Sequence, residues 1–220
     1  VLGQMAAGIS HEVNQPLTAM HTLTDNARDL LDRGEIGEAR NNLGLIKQMA
    51  ERMGRIAGEI KNFTRKSPIE KQAVPLLNVI CQAAMLVESR RRQVEASITL
   101  PETTSTLQVL ADPQRLEQVL VNLMLNALDA VATATERRID ILCQDTGTHI
   151  TLTVRDNGTG IPEAVIPHLF EPFFTTKSSG QGLGLGLAIS RMIITELGGH
   201  IDVHNRSGGG ADFCVTLEKA

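Results

Sequence analysis

Three short stretches carry residue types whose spacing could do chemistry. Asn122-Leu-Met-Leu-Asn126 sets two carboxamides four residues apart, on one face of any helix that contains them. Their carbonyl oxygens suit a hard cation and their NH₂ groups suit phosphate oxygens. Asp156-Asn-Gly158-Thr-Gly160-Ile161 offers a carboxylate that can accept from an exocyclic amine, and its glycines let backbone pass close to a ring. Gly180-Gln-Gly182-Leu-Gly184-Leu-Gly186-Leu alternates glycines and runs straight into a helical pattern. Such glycines free backbone N–H groups to wrap an anion, and the helix N-terminus adds its dipole. The spacing is neither GxGxxG nor GxxxxGK[ST], so the dinucleotide-binding and P-loop readings fail. Taken singly, an Asn pair is an ordinary solvated helix face and a DxGxG is an ordinary turn.

A fourth feature lies far upstream, in Ser10-His11-Glu12-Val13-Asn14-Gln15-Pro16-Leu17. At 100° per residue, His11 points roughly 170° away from the apolar seam of its own helix, which puts it on the solvated ridge rather than in a core. Pro16 cannot donate to the Glu12 carbonyl, so the helix is loosened one turn beyond an imidazole with a carboxylate beside it. An imidazole must lose a proton to attack an electrophile, and an adjacent carboxylate can orient it or take that proton.

The elements that position these residues follow from periodicity. Apolar residues recur at 2, 6, 9, 13, 16, 20, 23, 27 and 30, then after Asp32-Arg33-Gly34-Glu35 at 39, 43, 46, 50, 53, 57 and 60. Alternating steps of three and four make a coiled-coil seam, and the short turn makes an antiparallel hairpin. A lone hairpin buries two seams poorly, so a dimeric four-helix bundle is expected. Ser67-Pro68 ends the second helix, and the pattern turns mixed α/β. Helices are expected from Pro75 to about Arg92, from Asp112-Pro113 to about Ala132, and over 186–197. Strands are expected near 95–100, 107–111, 138–144, 149–155, 200–205 and 211–217. The predicted domains are a hairpin at 1–67, a linker at 68–74 and an α/β layer at 75–220.

Composition excludes several classes. Twenty-one Lys+Arg against 25 Asp+Glu leaves no electrostatic footprint for nucleic acid. Cys81, Cys143 and Cys214 are too scattered for a disulfide framework or a structural zinc, and they suit a reducing compartment. No apolar run or signal peptide suggests a membrane span. The helical pattern is already under way at Val1, so the chain reads as a fragment. Trp and Tyr are absent, and three of the five Phe crowd into Phe170-Glu-Pro-Phe173-Phe174.

These boxes, in this order behind an H-E-x-x-x-P-L helix, closely resemble the catalytic core of bacterial two-component sensor histidine kinases. The stretch from Gly3 to Leu17 is similar to the dicarboxylate-transport and nitrogen-regulation sensors. The resemblance implies an α+β protein: the dimerising phosphoacceptor hairpin, then an α/β sandwich of the histidine kinase, gyrase and chaperone type. It implies that His11 receives the γ-phosphoryl group of ATP with Glu12 as base or orienting partner, and that Asn126 coordinates Mg²⁺ beside Asn122. Asp156 would meet the adenine amine across Gly158 and Gly160. Gly182, Gly184 and Gly186 would lend N–H groups to the phosphates, with Lys177 as a further phosphate contact. Phe170–Phe174 would be the hinge of the nucleotide lid.

The same resemblance implies a homodimer and a response-regulator partner. It also implies a cytoplasmic location, with membrane attachment only through an absent N-terminal sensor region. Two positions depart from the family pattern. Gln15 stands where phosphatase-competent relatives often carry Thr or Asn. Asp129 stands where many carry a basic residue, leaving Mg²⁺ and the lid to balance the phosphate charge. Two other readings compete: an ATPase of the gyrase and chaperone type, and an ATP-binding scaffold without catalysis.

Overall fold

The computed structural model describes residues 2–64, 69–101, 107–177 and 183–220, with only the backbone for 2–12, 55, 59 and 61–64. The chain divides into two compact units, Val1–Lys66 with Pro172–Leu185, and Ser67–Glu171 with Gly186–Ala220.

The first unit is built on helices α1 (Leu2–Asp32) and α2 (Ile36–Thr64). Gly34, at φ +76°, turns the chain between them, and Glu35 N–H closes on Leu30 O at 2.8 Å. Helix α1 runs unbroken through Pro16, and Thr18 Oγ1 donates to Asn14 O at 2.9 Å one turn further on. Its inward residues are those the 3–4 rhythm predicts: Pro16 and Ala27 are buried, and Val13, Met20, Leu23 and Leu30 half-buried. Helix α2 departs from prediction. Leu43, Ala50 and Ala57 are exposed, while Asn42, Met49 and Ile56 turn toward α1 with Ala39, Ile46, Met53 and Ile60. Both rhythms share every second member, so sequence periodicity alone did not separate them.

The second unit is a mixed sheet with helices on it. Strand β1 (Gln72–Pro75) pairs antiparallel with β3 (Gln108–Ala111) in a two-stranded ribbon. The main sheet has β2 (Ser97–Thr99), β4 (Arg138–Asp145), β5 (His149–Asp156), β6 (His200–Asn205) and β7 (Ala211–Glu218), in the order β2-β4-β5-β7-β6. Only the β2–β4 pair is parallel. Strand β1 straddles the end of the predicted linker, 68–74, and Pro75, where a helix was expected to open. Its burial pattern lacks alternation, so only the pairing with β3 reveals it.

Helices α3 (Leu76–Val94), α4 (Pro113–Val131) and α5 (Gly186–Glu196) cover one face. The N-terminus of α4 is set as its sequence predicts: the Asp112 carboxylate accepts from Gln114 N and Arg115 N at 3.1 and 3.2 Å, and Pro113 occupies the first turn. Leu116, Val119, Leu120, Leu123, Met124 and Leu128 of α4 are fully buried. Against them lie alternate residues of the strands, among them Ile139, Ile141, Leu152, Val154, Phe213 and Val215. This core fixes where α4 and the end of β5 stand. The three cysteines are unbridged, and burial pushes the Cys143 thiol up to about 11.

Candidate functional site

Asp156 is the last residue of β5 and is 2% exposed. Its Oδ1 accepts from Gly158 N at 2.8 Å and Ala211 N at 3.3 Å, while its Oδ2 makes no hydrogen bond with any described residue. Burial pushes this carboxyl above the usual carboxylate range, and the two backbone N–H groups pull the other way. An acceptor oxygen left open on an otherwise buried carboxylate can be completed by a donor on a ligand. The loop that follows is tied down by Asn157, which accepts from Arg138 N and donates to Glu136 O, both at 2.9 Å. At Gly158 any side chain would collide, because a Cβ would lie 2.4 Å from Ala130 O at the end of α4.

On α4, Asn122 and Asn126 are both half-buried and lie on one face. Asn122 Nδ2 donates to Ser190 Oγ at 3.0 Å, and Ser190 Oγ donates to Gly186 O at 3.0 Å. A Cβ on Gly186 would stand 2.3 Å from Asn122 Oδ1, so only glycine lets the carboxamide press on the first turn of α5. The Asn stripe is thus locked to a helix N-terminus, where backbone N–H groups and dipole favour an anion. One turn beyond Asn126, Asp129 receives Arg90 Nη2 from α3 at 2.8 Å. The sequence reading left this stripe without a side-chain cation, and packing of α3 on α4 supplies one. Ser190 and Arg90 are the residues it missed, and neither has a signal outside this packing.

His11 and Glu12 lie on the helical backbone of α1, and their side chains lie outside the described residues. Gly182 lies outside them too. Gly184 is described: it sits at φ +67°, and a Cβ there would be 2.4 Å from Phe174 O. Phe173 N–H donates to Gly184 O at 3.1 Å, with Phe173 itself at φ +67°. Left-handed backbone at a bulky residue is strained, and it persists here beside the close Gly184 approach. Lys177 is half-buried, and its N–H donates to Thr175 Oγ1 at 3.2 Å. Phe170 belongs to the other unit, with the Arg191 guanidinium 5.7 Å from its ring centre.

The α/β unit therefore holds Asn122, Asn126, Asp156, Gly158, Gly160 and Gly186, and the hairpin unit holds His11, Glu12, Lys177 and Gly184. A cleft of about 420 Å³ opens beside the glycine loop, lined by Thr159, Ile161, Pro162, Arg206 and Gly209 among others. Among the described residues no group of three or more His, Cys, Asp or Glu is arranged to hold a metal.

Residues 111–220 match the family described as histidine kinase-, DNA gyrase B-, and HSP90-like ATPase, and residues 1–68 match the His Kinase A (phospho-acceptor) domain. The chain is 41% identical over its whole length to the C4-dicarboxylate transport sensor protein DctB of Rhizobium meliloti (strain 1021), of which it spans 35%. It is 33% identical over 98% of its length to the sensor histidine kinase ZraS of Escherichia coli (strain K12), of which it spans 45%. The structure is similar to histidine kinase ThkA, solved in complex with response regulator protein TrrA. That match has a TM-score of 0.76 at 30% identity and covers all of this chain and 62% of that one. The chain therefore belongs to the histidine kinases, joining a His Kinase A phospho-acceptor domain to an ATP-binding domain of the histidine kinase, DNA gyrase B and HSP90 type.

Proposed function

We propose that this chain transfers the γ-phosphoryl group of ATP to His11 and then offers it to an aspartate of a response regulator. One observation carries the reading: a buried carboxylate with a free oxygen at the end of β5, beside an Asn stripe locked to the glycine-started helix α5. The first suits a purine amine and the second suits a polyphosphate.

Asp156 Oδ2 accepts from the adenine amine, and Gly158 and Gly160 let the loop lie against the ring. Asn122 keeps α5 aimed so that the N–H groups at Gly186, with those of Gly184 and Gly182, meet phosphate oxygens; Lys177 adds a cation. The Asn126 carbonyl would hold Mg²⁺, which when bound would supply charge neutralisation for the polyphosphate. A neutral imidazole nitrogen of His11 attacks the γ-phosphorus as the bond to the β–γ bridging oxygen breaks. ADP leaves, and the imidazole proton passes to Glu12. Positioning and charge neutralisation are most of what phosphoryl transfer asks of a protein.

The domain reading follows the same lines, with residues 1–67 as phosphoacceptor hairpin and 75–220 as catalytic domain. Self-association is supported by the hairpin's outward stripes: Leu17 and Leu31 on α1 are 43% and 53% exposed, and Ile36 and Leu43 on α2 are 63% and 57%. These positions step by sevens or their multiples, as a second coiled-coil seam would, so a second copy completing a four-helix bundle is the proposed occupant. The complex of ThkA with TrrA supports a response-regulator partner. No described helix is long and apolar enough to cross a membrane. We propose that the chain is the cytoplasmic kinase part of an inner-membrane sensor, a reading supported by its likeness to a C4-dicarboxylate transport sensor protein.

The test is labelling with γ-radiolabelled ATP. Acid-labile, base-stable label should appear on the wild-type chain and disappear in His11→Ala. Asn126→Ala should abolish it with His11 intact, and label persisting in His11→Ala refutes the acceptor.

A further inference from the structure

The turn joining β6 to β7 forms a second frame around the loop that follows Asp156. Asn205, which ends β6, makes a two-point pair with one backbone residue: Nδ2 donates to Ile161 O at 2.6 Å and Oδ1 accepts from Ile161 N at 2.8 Å. The next residue, Arg206, donates from Nη1 to Asp156 O at 3.1 Å, and its Nε lies 3.7 Å from Asp212 Oδ1. Asp212 is itself anchored by Arg155 through bonds of 2.9 and 2.7 Å. The turn closes on itself through Arg206 N to Gly210 O at 3.0 Å and Gly209 N to Arg206 O at 3.1 Å.

Locally the Asp156 carboxylate has only the Gly158 N–H to orient it, and the residues after it are a glycine-rich loop whose backbone must itself be held. The frame provides that hold from outside. It grips the loop at its first carbonyl through Arg206 and at its far end through Asn205. We propose that Asn205 and Arg206 are positioning residues that set nucleotide base specificity, acting through Ile161 and Asp156. The inference rests on the kinase reading and deepens it. Adenine presents an amine donor where guanine presents a carbonyl acceptor; a carboxylate accepts from the first and repels the second. That discrimination is only as sharp as the placement of the carboxylate. Neither Asn205 nor Arg206 belongs to the polyphosphate-binding stripe on α4, so their loss falls on base binding and not on phosphoryl transfer.

The test uses the full chain. Affinities for ATP and GTP are measured by competition with a fluorescent adenine nucleotide, and autophosphorylation is followed against ATP concentration. Asn205→Ala and Arg206→Ala should each raise the apparent KM for ATP by about tenfold and shrink the ATP-to-GTP preference by a similar factor, with the rate at saturating ATP kept within about twofold. Arg206→Lys retains a donor for Asp156 O and should recover part of the KM. Unchanged KM and unchanged base preference in both alanine variants overturn the proposal, as does a fall in saturated rate with base preference intact. Should Arg206→Ala not fold, Asn205→Ala and Arg206→Lys carry the test. A wild-type chain that binds no ATP defeats the kinase reading itself, before any variant is compared.

Discussion

The hairpin and the α/β unit solve the burial problem in opposite ways. The α/β unit closes a core on its own: Leu116, Leu120, Leu123, Met124 and Leu128 of α4 are each 0% exposed, as are Ile139 and Val154 opposite them. In the hairpin, the buried apolar residues among those described are Pro16, Ala27, Ala39 and Ile56, while its outward leucines lie open. Two helices can cover only one stripe of each other, whereas a sheet under three helices encloses a volume. The difference teaches where each unit keeps its chemistry. The self-sufficient unit can afford a buried carboxylate held by its own backbone. The open unit carries its histidine on the backbone of a helix whose outward leucines lie exposed.

The sharpest way to break this comparison is to remove one leucine from each unit. Leu123→Ala should destabilise the α/β unit by about 2–5 kcal/mol through cavity formation. Leu43→Ala should cost the isolated chain under about 1 kcal/mol, yet weaken self-association measurably in sedimentation. Equal losses in thermal melts, with self-association untouched, would erase the distinction.

A smaller effect lies inside the hairpin. Asn42 Nδ2 is buried with no hydrogen-bond partner among the described residues. Replacing it by Leu should raise stability by about 1–3 kcal/mol, as removal of an unsatisfied buried donor does. A drop in melting temperature would mean that the amide finds its partner in the second copy and sets bundle register.

The smallest stability effect is expected at Asp156. Its carboxyl titrates above the ordinary range because it is buried, so between the two values the folded chain still holds a proton that the unfolded chain has released. Stability therefore falls as pH rises through that interval, and the cost persists above it. Asp156→Asn should melt higher than wild type at neutral pH, with the advantage shrinking as pH falls through that interval and gone below it, while ATP affinity drops. A variant that melts lower at neutral pH would show that the charge is compensated by its hydrogen bonds.

How much was legible beforehand differs between the units in the same way. The α4 cap at Asp112-Pro113, the strand ending at Asp156 and the helix starting at Gly186 were all readable, because each is set by adjacent residues. The inward face of α1 was readable too. That of α2 was not, since apolar residues stand on both candidate stripes and only packing chooses Ile56 over Ala57. Strand β1 was invisible for the same cause: four residues with no alternation become a strand only beside β3.

The sequence by itself determined the residue types and spacings of the site, namely the His-Glu pair, the Asn pair, the Asp-Gly loop and the alternating glycines. These are local patterns, and local patterns survive in one dimension. Only the tertiary structure decided that Ser190 links Asn122 to Gly186, that Arg90 answers Asp129, and that Asn205 and Arg206 frame the Asp156 loop. Each joins residues roughly 40 to 70 positions apart or, through Gly186, closes such a link. Such pairings depend on the register of strands and the crossing of helices, which a single chain of letters does not contain.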